Sequence, residues 1–155
     1  MIVDVIKKQW ERQKTHLYYE SYFAIDLHGT VIRPDHLRIS DSIEFYPYAK
    51  EVMQILTKRY DIRTICFTSS YPDEIIKYTK LLKEAGIEFN YIHDNPEISE
   101  ANGAFGYYKY KPYFDVMIED KAGFNPEIEW KQIYDLLTSE ENFIPNIEWK
   151  NQRLP

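Results

Sequence analysis

The chain has 155 residues and a mass of 18.7 kDa, which suits one domain large enough to bury a hydrophobic core. Its 44% hydrophobic and 28% charged residues argue against disorder, and its formal net charge of −6 disfavours diffuse binding to nucleic acid or anionic lipid. No apolar run approaches the roughly 20 residues that a membrane-spanning helix needs.

Residues 1–17 predict a helix packed on the body of the domain, because apolar side chains recur at helical spacing. Those side chains are Val3, Ile6, Trp10 and Leu17. Lys7 and Lys8 follow too early for a secretory signal peptide. The single cysteine, Cys66, lies in an apolar stretch, so no disulfide framework exists and its thiol is expected to be buried and inert. We therefore expect a cytoplasmic protein.

Residues 22–25 predict a buried strand that ends in an acidic residue, Asp26, and breaks into a turn at Gly29 and Thr30. Residues 31–46 show no period and predict a loop over the edge of the sheet. A helix is expected from Pro47, since proline is tolerated in the first turn. Its predicted buried face comprises Ala49, Val52, Met53, Leu56 and Tyr60.

The pattern of strand followed by helix repeats in the middle of the chain. Residues 62–67 predict a second buried strand, and residues 70–73 predict a helix start of the capping-box type. The predicted buried face of that helix comprises Ile75, Tyr78, Leu82 and Ala85. Gly86 is expected to end the helix, and residues 87–92 predict a third, shorter strand.

Residues 93–114 have no clean period and predict a long connection. A fourth strand is expected at residues 116–118, directly before Glu119 and Asp120. Asn125 and the following proline predict the start of a last helix. Its predicted buried side chains are Trp130, Ile133, Tyr134 and Leu137. The tail, residues 139–155, is expected to lie against the body, but the sequence does not predict its position.

This order of elements predicts an α/β fold: a three-layer, Rossmann-like domain with a central, mostly parallel sheet and helices on both faces. We expect the first strand in the middle of the sheet and a single domain spanning residues 1–155, with a core of about 22–137. The intervals between the strand-end residues are too short to hold an inserted cap domain.

Polar residues follow the predicted strands in the order Asp26, Thr68, a lysine, and Glu119-Asp120. This order, with Asp26-Leu27-His28-Gly29-Thr30 as its first motif, resembles the haloacid dehalogenase-like (HAD) phosphohydrolases. In that family the motifs are Asp-x-Asp-Gly-Thr, a Thr or Ser, a Lys, and an acidic pair. The lysine matches Lys111, with Lys109 as its competitor. One position departs from the family, because His28 stands where the phosphatases have their second Asp.

The resemblance implies a Mg²⁺-dependent phosphohydrolase that acts through an aspartyl-phosphate on Asp26. The metal would be held by Asp26, the backbone carbonyl of His28, and Glu119 or Asp120, all hard oxygen ligands. The Thr68 hydroxyl would bind a phosphoryl oxygen. The Lys111 ammonium would balance the charge of the transition state.

His28 would take the acid–base role of the missing Asp. A neutral imidazole beside Mg²⁺ and Lys111 would act as a base toward water but as a poor acid toward an alkoxide. Activated aryl phosphates should therefore be hydrolysed, and unactivated alkyl phosphates should react slowly.

The expected partner is a phosphorylated substrate, with no membrane contact and with nucleic acid only as a possible substrate end. The absence of a cap favours a bulky phosphate, with residues 31–46 and 99–113 as the walls of the site. Residues 107–113 interleave tyrosines with lysines, as single-strand nucleic-acid sites do, but in an acidic chain a loop that roofs the site is preferred. The alternative is a catalytically weak HAD-like module that binds metal, phosphate or a protein partner. The sequence leaves the oligomeric state open.

Overall fold

The computed structural model describes residues 1–35 and 41–142, in which helices and strands alternate as far as β3. The elements are α1 (Ile2–His16), β1 (Ser21–Ile25), α2 (Ala49–Leu56), β2 (Ile62–Cys66), α3 (Pro72–Glu84), β3 (Tyr91–Ile92), β4 (Val116–Ile118) and α4 (Glu129–Thr138). Each lies where the sequence pattern predicts an element of that kind. The predicted third strand is shorter, since only two of its six residues pair.

The four strands form one sheet in the order β3-β2-β1-β4, and every neighbouring pair is parallel. Strand β1 pairs with β2 over its whole length, from Ser21 opposite Ile62 to Ile25 opposite Cys66. On its other side β1 pairs with β4, with Ile25 opposite Ile118. The first strand therefore lies inside the sheet, and the predicted α/β fold with a parallel sheet flanked by helices is confirmed.

Alternate side chains of β1 enter two different environments, as the pleat of a strand requires. Phe23 and Ile25 are fully buried in a hydrophobic core that also contains residues of all four helices. The largest fully buried side chain of that core is Trp130 of α4. The indole N–H of Trp130 donates to the backbone carbonyl of Thr30 at 2.7 Å, which fixes α4 against the turn after β1.

The side chains of Tyr22 and Arg63 belong to the opposite set and meet the 93–114 connection. Arg63 forms an ion pair with Glu97 at 3.0 Å, and the Tyr91 hydroxyl donates to the same carboxylate. The Tyr22 hydroxyl lies 3.5 Å from Glu97 and 3.1 Å from Glu20, so its one proton is donated to one of them at a time. The connection therefore lies over this side of the sheet, held by a hydrogen-bonded network around Glu97.

The structure corrects two predictions about helix ends. Helix α2 ends at Leu56, and Tyr60, predicted on its buried face, is 46% exposed because it lies in the turn beyond the helix. Helix α3 begins one residue later than a cap at Ser70 would place it. The Tyr71 backbone N–H donates to the Glu74 carboxylate at 3.2 Å, which is half of a capping box.

The described part of the chain contains no domain inserted between Thr30 and Thr68 or between Thr68 and Lys111. None of its helices is long and apolar enough to cross a membrane. Most of the predicted tail, from residue 143, lies outside the described residues.

Candidate functional site

Three carboxylates meet at the carboxyl edge of the sheet, where the parallel neighbours β1 and β4 end side by side. Asp26, Glu119 and Asp120 each offer an oxygen, and these oxygens lie within 4.8 Å of one another. The Asp26 backbone N–H donates to the Ile118 carbonyl at 3.1 Å, so the strand pairing itself brings the carboxylates together. Carboxylate oxygens at this separation are the hard donors that Mg²⁺ prefers, and the donor set therefore fits that ion.

The hydroxyl of Thr30 connects two of the three carboxylates. Thr30 is fully buried, and its Oγ1 lies 3.2 Å from Asp26 Oδ2 and 3.4 Å from Asp120 Oδ1. A hydroxyl has one proton, so it donates to one of them at a time. The same oxygen accepts the Asp120 backbone N–H at 3.0 Å. Thr30 therefore positions both acids, although we assigned it no role from the sequence.

Gly29 is required by the close approach of Asp120. Its φ is +80°, a conformation that favours glycine. A Cβ built on Gly29 would lie 2.9 Å from Asp120 Oδ2, which is closer than such contacts allow. The Gly-Thr pair of the first motif thus serves the acid cluster twice, through the space at Gly29 and through the hydroxyl at Thr30.

A cavity of about 650 Å³ opens over the carboxylates. Its wall contains five of the six residues that the sequence assigned to the site: Asp26, His28, Thr68, Glu119 and Asp120. It also contains Lys121, which was not predicted, because the family motif places its lysine before β4. Lys121 directly follows the acidic pair in the sequence, and this adjacency could have identified it as a site residue.

Burial and neighbouring charge act together on Asp26. Its pKa rises from 3.8 to about 6, chiefly because burial disfavours the carboxylate and further because Glu119 and Asp120 are also negative. Hydrogen bonds from the Leu27 backbone and from Thr30 offset part of that rise. A cation placed among the three acids would relieve the repulsion, which is the second reason that the donor set fits a divalent metal.

Thr68 lies in a tight turn after β2. Its Oγ1 accepts the Ser70 backbone N–H at 3.2 Å and lies 2.9 Å from the Ser70 hydroxyl. The Thr68 backbone N–H donates to Nε2 of His93 at 3.3 Å. His93, for which no role was predicted, therefore supports the turn that presents Thr68 to the cavity.

His28 lines the cavity with a half-buried side chain. Its ring meets the edge of the Tyr78 ring, with the centroids 4.6 Å apart and the planes at 76°. Tyr78 is buried in α3, so this contact fixes the imidazole against a rigid element. His28 thus stands at the acidic site, in the position that the motif predicts.

Lys111 is the predicted site residue that does not line the cavity. Its exposed ammonium lies 5.7 Å from the centroid of the Phe114 ring, and that ring is 6.2 Å from the ring of Phe67 in the cavity wall. Of the described residues in the 99–113 loop, none lines the cavity, so the prediction that this loop forms a wall is wrong. The physical reason is the network at Glu97, which holds the connection over the sheet instead. On the other side, Pro34 and Asp35 do form part of the wall.

No family model and no curated protein matches this chain. The chain is similar to the solved structure of a conserved protein from Bacteroides thetaiotaomicron, with a TM-score of 0.57 and 21% sequence identity. The similarity covers 76% of this chain and 89% of that chain. At such low identity the likeness supports the α/β fold alone.

Proposed function

We propose that this protein is a Mg²⁺-dependent phosphohydrolase in which Asp26 is the nucleophile. The observation that carries the proposal is the cluster of Asp26, Glu119 and Asp120, whose oxygens lie within 4.8 Å of one another in the wall of a cavity. The resemblance of the motifs to the HAD phosphatases supports the same assignment. In the cytoplasm, where we propose the protein acts, Mg²⁺ and phosphate esters are both abundant.

The proposed reaction divides phosphate-ester hydrolysis into two displacements. An Asp26 oxygen attacks phosphorus, the bond from phosphorus to the leaving oxygen breaks, and that oxygen takes up a proton. Water then attacks phosphorus, the bond to Asp26 breaks, and inorganic phosphate leaves as a base removes the proton of the water. Bound Mg²⁺ would supply the charge neutralisation that lets a carboxylate approach a phosphate.

The remaining residues have distinct proposed roles. The Thr68 hydroxyl donates a hydrogen bond to a phosphoryl oxygen. Thr30 positions the carboxylates of Asp26 and Asp120. His28 acts as the base toward water. The charge-balancing lysine is Lys111 by its motif or Lys121 by its place in the cavity wall. The described chain has no cap, so we propose a bulky substrate such as a nucleotide, a nucleic-acid end or a phosphoprotein.

The proposal is tested with an activated aryl phosphate, p-nitrophenyl phosphate, in the presence and absence of Mg²⁺. We expect Mg²⁺-dependent hydrolysis, and Asp26→Asn should lower kcat at least about 1000-fold because the nucleophile is lost. The matched control is Asp135→Asn, which changes an exposed carboxylate on α4 that pairs with Lys131, and it should leave kcat unchanged.

The alternative function is a HAD-like module that binds metal or phosphate without turnover, and His28 at the second motif position favours it. His28→Asp separates the two. In an enzyme limited by its acid, this change raises hydrolysis of alkyl phosphates more than that of aryl phosphates. If the wild type hydrolyses no aryl phosphate and His28→Asp restores none, the binding module replaces the enzyme.

A further inference from the structure

A second cavity, of about 430 Å³, lies at the opposite edge of the sheet. Two of its wall residues mark the place, because Tyr22 lies at the amino end of β1 and Asp115 directly precedes β4. Most of the wall residues are aromatic and come from the α1–β1 turn, from β1 and from the 93–114 connection. The aromatic wall residues are Tyr18, Tyr19, Tyr22, Phe105, Tyr108 and Tyr113.

Three of these rings are fixed against one another. Tyr113 meets Tyr22 edge to face at 5.9 Å and Tyr108 edge to face at 5.4 Å. The Tyr108 hydroxyl donates to the Phe105 carbonyl. Gly106, with φ +136°, lies so close beneath Tyr108 that a Cβ there would be 3.0 Å from the phenol oxygen. The rings therefore form a preformed wall.

Two carboxylates complete the cavity wall. Asp115 accepts the Tyr22 backbone N–H at 2.8 Å and the Tyr113 hydroxyl at 2.5 Å, so its charge is held in one place. Glu20 accepts the Tyr22 hydroxyl at 3.1 Å. Within the described chain, no lysine, arginine or histidine lines this cavity. Arg12 acts on Asp115 through space and the His16 ring stacks on Tyr18, but neither residue is part of the wall.

We propose that this cavity, the aromatic cage, binds a small organic cation of the alkylammonium or methylated-ammonium class. Aromatic faces are negative and attract a cation within about 6 Å of the ring centroid, most strongly where water is excluded. Methyl groups suit the apolar rings, and the fixed carboxylates supply the opposite charge at an effective dielectric below that of water. An anion would meet two carboxylates and no cation in the wall.

The proposal is independent of the proposed phosphohydrolase activity, since the cage lies at the amino edge and the acid cluster lies at the carboxyl edge. It also accounts for part of the tyrosine-rich 107–113 stretch, which the first cavity leaves unexplained. Tyr108 and Tyr113 from that stretch face the cage. Tyr110, by contrast, is 86% exposed and outside it.

The test compares choline with its neutral isostere, 3,3-dimethylbutan-1-ol, by NMR titration of the full chain. We expect millimolar or tighter binding of choline, with the shifted resonances confined to the cage, and binding of the isostere weaker by at least about fivefold because it lacks the charge. Equal binding of the two would show an ordinary apolar pocket and overturn the proposal. Failure of choline to bind would overturn it as well.

Variants of Tyr108 separate the contribution of its aromatic ring to choline binding from that of its hydroxyl. Tyr108→Leu removes a π-face while keeping apolar volume and should weaken choline binding about 3- to 30-fold. Tyr108→Phe keeps the ring, loses only the hydrogen bond to Phe105, and should bind choline within about twofold of wild type. Tyr110→Leu, the same change outside the cage, should leave binding unchanged. If Tyr108→Leu fails to fold, Glu20→Gln replaces it, and unchanged choline binding in that folded variant would contradict the proposed charge recognition.

Discussion

The two edges of one sheet treat their acidic residues in opposite ways. At the carboxyl edge, Asp26 faces two further carboxylates, Glu119 and Asp120, and its pKa rises to about 6. At the amino edge, Asp115 is also buried enough for its pKa to rise, but hydrogen bonds from Tyr113 and Tyr22 oppose that rise. Burial raises the pKa of both acids. Like charges raise that of Asp26 further despite its two donors, whereas the groups that act on Asp115 oppose the rise.

This contrast separates a carboxylate that stabilises the fold from one that strains it. Acids that hold elements together have their acceptors occupied by protein donors, as Asp115 does between β1 and the 93–114 connection. Acids crowded with like charge lower stability and are retained where a ligand compensates. The comparison predicts opposite effects of removing a carboxylate at each edge.

The largest expected effect is at the amino edge. Asp115→Ala leaves the buried Tyr22 N–H and the Tyr113 hydroxyl without their acceptor, and should lower the free energy of unfolding by about 2–3 kcal/mol. Urea denaturation measures it. Asp135→Ala, which removes an exposed carboxylate from α4, is the control and should leave the midpoint nearly unchanged. Equal midpoints for the two variants would mean that Asp115 does not fasten the edge.

At the carboxyl edge, Gly29→Ala tests whether Gly29 is needed to leave space for the Asp120 carboxylate, beyond its tolerance of a positive φ. The added Cβ displaces the Asp120 carboxylate, so Mg²⁺ affinity measured by calorimetry should fall at least about tenfold. Gly103→Ala is the matched control, because Gly103 also has a positive φ but has no atom within 4 Å of its Cβ position. It should cost about 1 kcal/mol of stability and leave Mg²⁺ affinity intact. A similar loss of affinity in both variants would remove the role given to Gly29.

A smaller effect should identify the cation of the site. Lys121 lies in the cavity wall, so Lys121→Ala should weaken inhibition by orthovanadate about 3- to 10-fold. Lys109→Ala, whose ammonium lies 6.0 Å from the Tyr110 ring centroid, should leave inhibition unchanged. Loss of inhibition in Lys111→Ala alone would return the role to the lysine that the family motif indicates.

The smallest effect is a gain of stability at the carboxyl edge. Since folding raises the pKa of Asp26 from 3.8 to about 6, the folded protein binds a proton more tightly than the unfolded chain does. The contribution of Asp26 to the stability of the metal-free protein is therefore greatest below about pH 4 and is lost as pH rises through about 6. Asp26→Asn should raise the free energy of unfolding by about 1 kcal/mol above pH 7, after allowance for solvent screening.

Thermal melts of metal-free protein across pH test that gain. The difference in Tm between Asp26→Asn and wild type should shrink toward zero below about pH 3, where Asp26 is protonated in both the folded and the unfolded state. A gain of the same size at both ends of the pH range would come from packing and would contradict the electrostatic explanation.

Local sequence alone predicted the elements and the acidic edge. A short buried strand or an amphipathic helix is specified by side chains near one another in the chain, so β1, β2 and the helices lie where the sequence pattern indicates. The carboxyl ends of parallel strands share an edge, and Asp26 and Asp120 therefore meet although they are far apart in sequence. The fold and the acid cluster followed from these two rules.

Tertiary structure alone decided the segments without a period. The 93–114 connection could have roofed the site, but tertiary contacts such as the ion pair between Arg63 and Glu97 and the bond from Tyr113 to Asp115 place it over the sheet, where it helps to build the aromatic cage. Tertiary structure also decided the role of Thr30, because this residue positions an acid, Asp120, that lies far from it in the sequence. Loop side chains acquire their environment from distant contacts, and spacing along the sequence carries no record of those contacts.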